Sequence, residues 1–516
     1  MKPAGCLIGV LILLALPACG RDVRVGSKAF TESVILSEMV RLKGSTEATP
    51  VLHRKGLGGT QFLWQGLVWG DIDAYPDYTG TIEQTILTDV TFPADPEARF
   101  AAMRSALAEY DVEITAPLGF YNTYAIGMRE EVAEELGIES ISDLANHPDL
   151  AFGFSPEFMK RDDGWPGVKR HYQLPQGGSQ VRDIDHTLAY EALTQGERGE
   201  IQAMDLYSTD PKIQKYNLRV LADDRQFFPD YSAVFLYRKD LEPRAPQLVQ
   251  AINDLAGEID QSEMIELNAL VELDRREEAA AAATLLGVDA PSSSLVRRLI
   301  RYTIEHLFLV VTSLAMAICV AIPLGIVAAK RPRFEKPIMV TAEIIQTIPA
   351  LALLVVLMLA LGRLGDVLQA LHLERLPTIG PLPAIVALFM YSLLPILRNT
   401  HAGITGIPSN LRESAEAIGL SPWAQLKQIE LPMASRLILA GIKTTAVINV
   451  GYATLGGLIS AGGYGQPIIQ GLYKLDFGVM MEGALPAAIM AVLVKSLFEW
   501  SELIVVPKGL RLKPAH

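Results

Sequence analysis

Apolar positions along this chain follow two regimes. Up to about residue 275 they come in short runs broken by polar residues, and from about residue 303 they come in long, almost uncharged stretches. The short runs include Val23-Arg24-Val25-Gly26, Ala151-Phe152-Gly153-Phe154 and Leu218-Arg219-Val220-Leu221. They alternate with helical stretches such as Pro96–Tyr110 and Pro246–Asp260. That alternation predicts parallel βαβ units, and roughly 250 residues suffice for two lobes with a cleft between them. The long stretches cover 303–329, 337–361, 383–397, 434–461 and 483–506. They predict an all-α membrane region of five helices, the third short and carrying Pro395. Pro323, Pro349 and Pro395 fall inside these stretches and predict kinks; a tolerated kink without a mechanistic role is the competing reading of each.

Two further segments complete the plan. Residues 1–20 carry one Lys, an apolar core from Leu7 to Leu16, and then Pro17-Ala18-Cys19-Gly20. This is a secretory signal in outline. Leu16-Pro17-Ala18-Cys19 resembles a lipobox, which would lipidate Cys19; an uncleaved anchor is the alternative, and either places residue 21 onward outside the cytoplasm. Residues 276–294 are an Ala-rich helical run followed by Asp289-Ala290-Pro291-Ser292-Ser293-Ser294, a linker by composition. The expected boundaries are 1–20, a soluble domain at 21–275, a linker at 276–300 and a membrane domain at 301–516.

Charge divides along the same line. Residues 1–294 hold 26 Lys+Arg against 46 Asp+Glu, whereas residues 295–516 hold 19 against 12. An acidic first half argues against nucleic acid, which needs clustered cations. Cys6 and Cys19 lie in the leading apolar segment and Cys319 in a membrane stretch, so the soluble domain has neither a disulfide nor a CxxC metal site. No histidine spacing fits a metal, no cofactor loop or nucleophile–base pair appears, and no GxxxxGK[S/T] is present. The expectation is a non-enzyme with no cofactor.

Glu413 to Pro432 reads ESAEAIGLSPWAQLKQIELP between two apolar stretches. The Glu-x-Ala start, Gly419 and the Ile429-x-Leu431-Pro432 end resemble the cytoplasmic EAA loop of bacterial ABC-importer permeases. The resemblance implies that Glu413, Ala415, Gly419, Ile429, Leu431 and Pro432 couple the membrane domain to an ATPase. Gly419 would form the turn, and Pro432 would end the coupling element. With this loop fixed inside, the inner loops hold Lys330, Arg331, Arg333 and Lys336, then Arg398, Arg412 and Lys427, and the tail Lys508, Arg511 and Lys513. That agrees with the positive-inside rule, and an odd number of crossings puts residue 302 outside. Arg297, Arg298 and Arg301 are cations on the outer side and run against it. Glu343 and Lys443 sit near membrane-helix ends, where snorkelling is the cheaper account.

Two resemblances cover nearly the whole chain. The stretches 346–351 (QTIPAL), 391–400 (YSLLPILRNT) and 461–465 (AGGYG), with the EAA loop, are similar to the permease of osmoprotectant (glycine betaine/carnitine/choline) ABC importers. The stretches 25–32 (VGSKAFTE), 58–60 (GGT), 70–81 (GDIDAYPDYTGT), 119–124 (GFYNTY), 162–167 (DDGWPG) and 207–210 (YSTD) resemble the matching substrate-binding protein. The fold implied is an α/β two-lobed periplasmic-binding-protein fold followed by an all-α polytopic membrane domain of about five helices. A trimethylammonium head has no N–H, so aromatic faces must hold it. The resemblance places Tyr78, Tyr124, Tyr207 and Tyr231 in such a cage. Thr81, Asn122, Thr60, Gln61 and Thr31 are candidates for the polar end of the ligand. Taken singly, each tyrosine is more often a packing residue.

The function implied is an inner-membrane ABC-importer subunit that binds a quaternary-ammonium solute outside the cell. A separate ATPase and a homodimer of the permease domain are the expected partners, with residues 21–300 extracytoplasmic. The alternatives are another betaine-like ligand such as ergothioneine, or a membrane solute sensor that does not transport. The intact EAA loop argues against the sensor.

Overall fold

The short apolar runs assemble into two five-stranded sheets. The computed structural model describes residues 22–195, 200–228, 231–290, 294–373, 375–474 and 476–507. Residues 1–21, with Cys19, and the tail cations Lys508, Arg511 and Lys513 lie outside them. The chain forms two compact units, Asp22–Pro291 and the membrane part from Ser292 onward.

In the first unit, one sheet has the order β2-β1-β3-β10-β4, from Val51–Arg54, Val23–Gly26, Ala74–Tyr78, Ala233–Arg238 and Val112–Ile114. The other has the order β7-β6-β8-β5-β9, from Val181–Asp183, Phe152–Phe154, Ala203–Tyr207, Tyr124–Arg129 and Leu218–Val220. Within each sheet four strands run in one direction and the fifth is reversed: β10 lies antiparallel to β3 and β4, and β5 antiparallel to β8 and β9. The sheets are therefore mixed rather than built from βαβ units throughout. The reversed strands are those that enter each sheet from the other. The two crossing segments pair at a Tyr121–Ser232 bridge, which makes a two-stranded hinge between the lobes. Helix α1, Thr31–Gly44, follows β1, and its inward face (Ile35, Leu36, Met39 and Val40) is fully buried against that sheet. Helix α2, Thr60–Trp69, follows β2.

The helix expected at Pro246–Asp260 ends at Asn253. Asp260 instead caps α3, Gln261–Glu272, in a reciprocal box with Glu263, each bond 2.9 Å. The Ala-rich run becomes α4, Glu278–Leu286, whose Ala281 and Ala282 are fully buried against α1. These residues belong to the binding unit and not to a linker, because a poly-Ala face packs closely on a neighbouring helix.

Among the described residues of the second unit, five helical segments are long and apolar enough to cross a membrane: Leu295–Lys330, Ala350–Ala370, Pro381–Thr405, Pro422–Ile459 and Phe477–Val505. The stretch expected as one helix at 337–361 is two. Helix α6, Pro332–Thr347, follows α5, Leu295–Lys330, and stops where Ile348 takes an extended conformation before Pro349. Helix α7, Ala350–Ala370, starts afresh beyond it. Pro323 and Pro395, by contrast, lie inside the continuous helices α5 and α8, the latter Pro381–Thr405.

Helices α5 and α8 pack closely on each other and on the main fourth-span helix, which runs Leu431–Tyr452. Gly325 lets α8 approach: a Cβ there would lie 2.7 Å from Thr400. Asn449 donates to Ser392 at 2.8 Å and to Ser313 at 3.3 Å, so one buried amide ties three helices together. Several ionisable groups of this unit are paired. Lys443 meets Glu499 at 3.0 Å, Arg398 meets Glu343, and Arg298, one of the outer cations, meets Glu482 at 2.8 Å.

Candidate ligand-binding site and coupling loop

The candidate tyrosines sit at strand ends and in the hinge. Tyr78 ends β3, Tyr124 begins β5 and Tyr207 ends β8; Tyr231 lies in the returning hinge segment. Strand pairing sets Tyr124 directly opposite Tyr207. Their ring centroids are 5.2 Å apart, and Tyr231 meets Tyr124 edge-on at 6.2 Å. Gly80 gives Tyr231 its place, since a Cβ there would fall 2.6 Å from that ring. Phe30, not among the expected site residues, stacks on Tyr78 at 6.3 Å.

Burial pushes the hydroxyls of Tyr78, Tyr124, Tyr207 and Tyr231 upward, so all four rings are neutral phenols. Two of the hydroxyls are anchored on carboxylates. Tyr78 donates to Glu32, and Tyr231 donates to Asp163. Such bonds fix ring orientation.

Two cations lie among these rings. The Lys28 ammonium is 5.8 Å from the Tyr78 centroid and 2.6 Å from Asp77. The Arg161 guanidinium is 5.7 Å from the Tyr124 centroid and is bound by Asp163 at 2.6 and 2.7 Å. Burial alone would raise Asp163, but the bonds from Arg161 and Tyr231 hold its carboxyl below the usual range. Neither cation stood among the sequence candidates. The signal for Lys28 was its place inside the GSKAFTE stretch; Arg161 sits just ahead of DDGWPG.

The polar candidates divide. Thr81 is buried one turn beyond Tyr78, and Asn122 donates to Glu32 at 3.0 Å. Gln61 is turned away, with its amide on the Thr85 carbonyl at 2.8 Å. Thr31 and Thr60 open α1 and α2 and are half-buried.

The EAA-like segment forms α9, Ser409–Ala417, then a turn at Gly419 with φ of +78°, and then a helix that Ser421 caps. Ala415 is buried while Glu413 and Gly419 are exposed, and Ile429, Leu431 and Pro432 are half-buried. Trp423 and Ile418 stand 70% and 76% exposed, an apolar surface presented by the turn. Pro432 does not end the element. A π-turn at Leu426–Glu430 passes the helix hydrogen bonds around its missing N–H, and the chain continues as α10, Leu431–Tyr452. Glu430, buried at the root of the loop, pairs with Lys330 at 2.6 Å at the end of α5.

Residues 21–287 match the substrate binding domain of the ABC-type glycine betaine transport system. The chain belongs to that family. Residues 321–509 match the binding-protein-dependent transport system inner membrane component. The chain is thus an ABC importer with its binding domain and permease domain fused, a multi-pass inner-membrane protein. A glycine betaine/carnitine/choline transport system permease protein of Bacillus subtilis, OpuCB, is 37% identical over 207 residues, 40% of this chain and 88% of the relative. The osmoprotectant import permease protein OsmW of Salmonella typhimurium is 34% identical, over 40% of this chain and 92% of its own length. A crystal structure of a glycine betaine/carnitine/choline ABC transporter is 32% identical and covers 52% of this chain and 98% of that one, with a TM-score of 0.46.

Proposed function

We propose that this importer takes up a quaternary-ammonium compatible solute of the glycine betaine, choline or carnitine type. The observation that carries the reading is the convergence of Tyr124, Tyr207 and Tyr231 on one side of the cleft with Tyr78 opposite Lys28. Neutral aromatic faces attract a methylated cation that cannot donate hydrogen bonds. Lys28 and Arg161 beside the rings offer charge-assisted donors to a carboxylate, which favours a zwitterionic betaine over choline. In this reading Tyr78, Tyr124, Tyr207 and Tyr231 hold the head, and Thr81 and Asn122 line the polar end with the two cations.

Residues 21–300 lie outside the cell, and the loop from Glu413 to Pro432 receives a separate ATPase. The exposed Trp423 and Ile418 on that loop support a protein partner there. Two copies of the chain complete the pathway, because each supplies one permease domain. Calorimetric titration of the full chain in nanodiscs with glycine betaine, carnitine, choline and ergothioneine tests the ligand. Tightest binding of a trimethylammonium carboxylate is expected. Binding of none of the four would overturn the cage.

A further inference from the structure

We propose that Glu32 is the positioning residue of the binding unit: an anionic latch that joins both lobes and the hinge in the closed state and holds Tyr78 in the cage. Glu32 lies in the first turn of α1 and is 2% exposed. Its Oε1 accepts from the Tyr78 hydroxyl and from Asn122 Nδ2 at 3.0 Å. Its Oε2 accepts from Asn268 Nδ2 at 3.0 Å, and the Thr209 hydroxyl bonds the same carboxylate. These four donors come from four places. Tyr78 belongs to the first sheet, Asn122 to the hinge, Thr209 to the loop after β8 in the second sheet, and Asn268 to α3. Asn268 also donates to the Thr209 carbonyl at 3.2 Å, which doubles the tie to the second lobe.

A carboxylate has lone pairs for four donors, and an amide in its place would set its own N–H against some of them. The acceptor set is complete only when the second lobe is closed on the first. Burial raises the Glu32 carboxyl above its ordinary value, and the bonds from Thr209, Tyr78, Asn268 and Asn122 oppose that rise. Opening the lobes removes Thr209 and part of the hinge contact, leaving a desolvated carboxylate with fewer donors. The latch therefore favours closure before any ligand arrives, and ligand affinity gains by the fraction already closed. It rests on the two-lobed fold; the cage reading enters only its ligand arm.

The test uses the full chain in nanodiscs, lacking Cys6, Cys19 and Cys319, with dyes on Glu47→Cys and Gln214→Cys, one on each lobe and both exposed. Energy transfer between them reports closure without ligand, while glycine betaine and choline serve as ligand probes. Glu32→Gln is expected to cut the ligand-free closed population several-fold and to raise Kd for every probe that binds by a similar factor, about tenfold. Thr209→Val, a milder change confined to the cross-lobe bond, is expected to lower the closed population in the same direction. It serves as the test if Glu32→Gln does not fold. Tyr78→Phe added to Glu32→Gln is expected to cost less than the two changes apart, since both remove one bond. An unchanged closed population in Glu32→Gln, or in Thr209→Val where Glu32→Gln fails to fold, would overturn the latch even if Kd rose. Failure of the cage reading alone would leave the closed population of these variants shifted and neither probe bound.

Discussion

The Arg161 guanidinium lies over the ring of Tyr124, 5.7 Å from its centre. In the proposed cage a resident cation therefore sits beside the solute's place, and its carboxylate partner Asp163 in turn holds Tyr231. Arg161→Gln is expected to weaken glycine betaine by about tenfold or more, as a charge-assisted bond is worth roughly 1.5–3 kcal/mol. Choline, without a carboxylate, should change less. Calorimetry with both ligands checks this, and equal losses would remove Arg161 from the polar end.

The four tyrosines should not respond alike. Ala at any of them is expected to cost roughly 1–2 kcal/mol of ligand binding. Tyr124→Phe and Tyr207→Phe keep the face and should bind nearly as well as the native chain. Tyr78→Phe and Tyr231→Phe each take one donor from the carboxylates of Glu32 and Asp163 and should bind measurably worse. Normal binding by all four Ala variants would reject the cage.

His186 gives a pH dependence. It lies 3.5 Å from Asp205 and 3.7 Å from Asp210, with its ring 5.0 Å from that of Tyr207. Burial disfavours its charged form, but the two carboxylates outweigh it and raise its pKa to about 9. The unfolded value is about 6.5. The stabilisation is therefore fully present below about pH 6.5 and is lost as pH rises through about 9. The melting temperature of the binding unit, followed in the full chain, should fall across that window. His186→Gln should flatten the profile; an unaltered profile would assign the change to other groups.

Gly419→Val is expected to spare ligand binding and to suppress uptake in proteoliposomes that contain the ATPase partner. The φ of +78° costs a β-branched residue roughly 1–2 kcal/mol, although the space around the Cβ is open. Glu413→Lys, on the exposed side of α9, should act in the same direction by changing the surface alone. Full uptake by both variants would separate this loop from the ATPase.

Cysteines at 290 and 420 in a Cys-free background should label from outside and inside respectively. The crossing parity depends on five spans, and α6, with its charged first turn, is not among them. Labelling of 420 from outside would reverse the topology.

Much of this architecture was legible in the sequence because it rests on local rules. Strand runs, apolar lengths and the candidate tyrosines are written in short stretches. What escaped depended on partners far along the chain. Arg161 carries no local sign of meeting Tyr124, since strand β5 brings that ring from another segment. The reversed strands β5 and β10 follow from crossing between lobes, which periodicity does not encode. Pro349 and Pro432 look alike in sequence, yet one breaks a helix and the other is absorbed by a π-turn. The difference lies in the neighbouring backbone, extended at Ile348 and helical through Glu430.

The binding unit closes with α4, capped by Gly287, and α5 begins at Leu295. So short a tether changes the kinetic order of delivery. A free receptor must find its permease by a second-order encounter whose rate follows expression level. Here the encounter is first-order, at an effective concentration on the order of millimolar, and dilution of the periplasm or medium cannot reduce it. Weak docking then suffices, and an empty receptor that lingers would obstruct its own gate. Uptake per permease should accordingly stay constant as the amount of the chain is varied, in contrast with importers whose receptor is supplied separately.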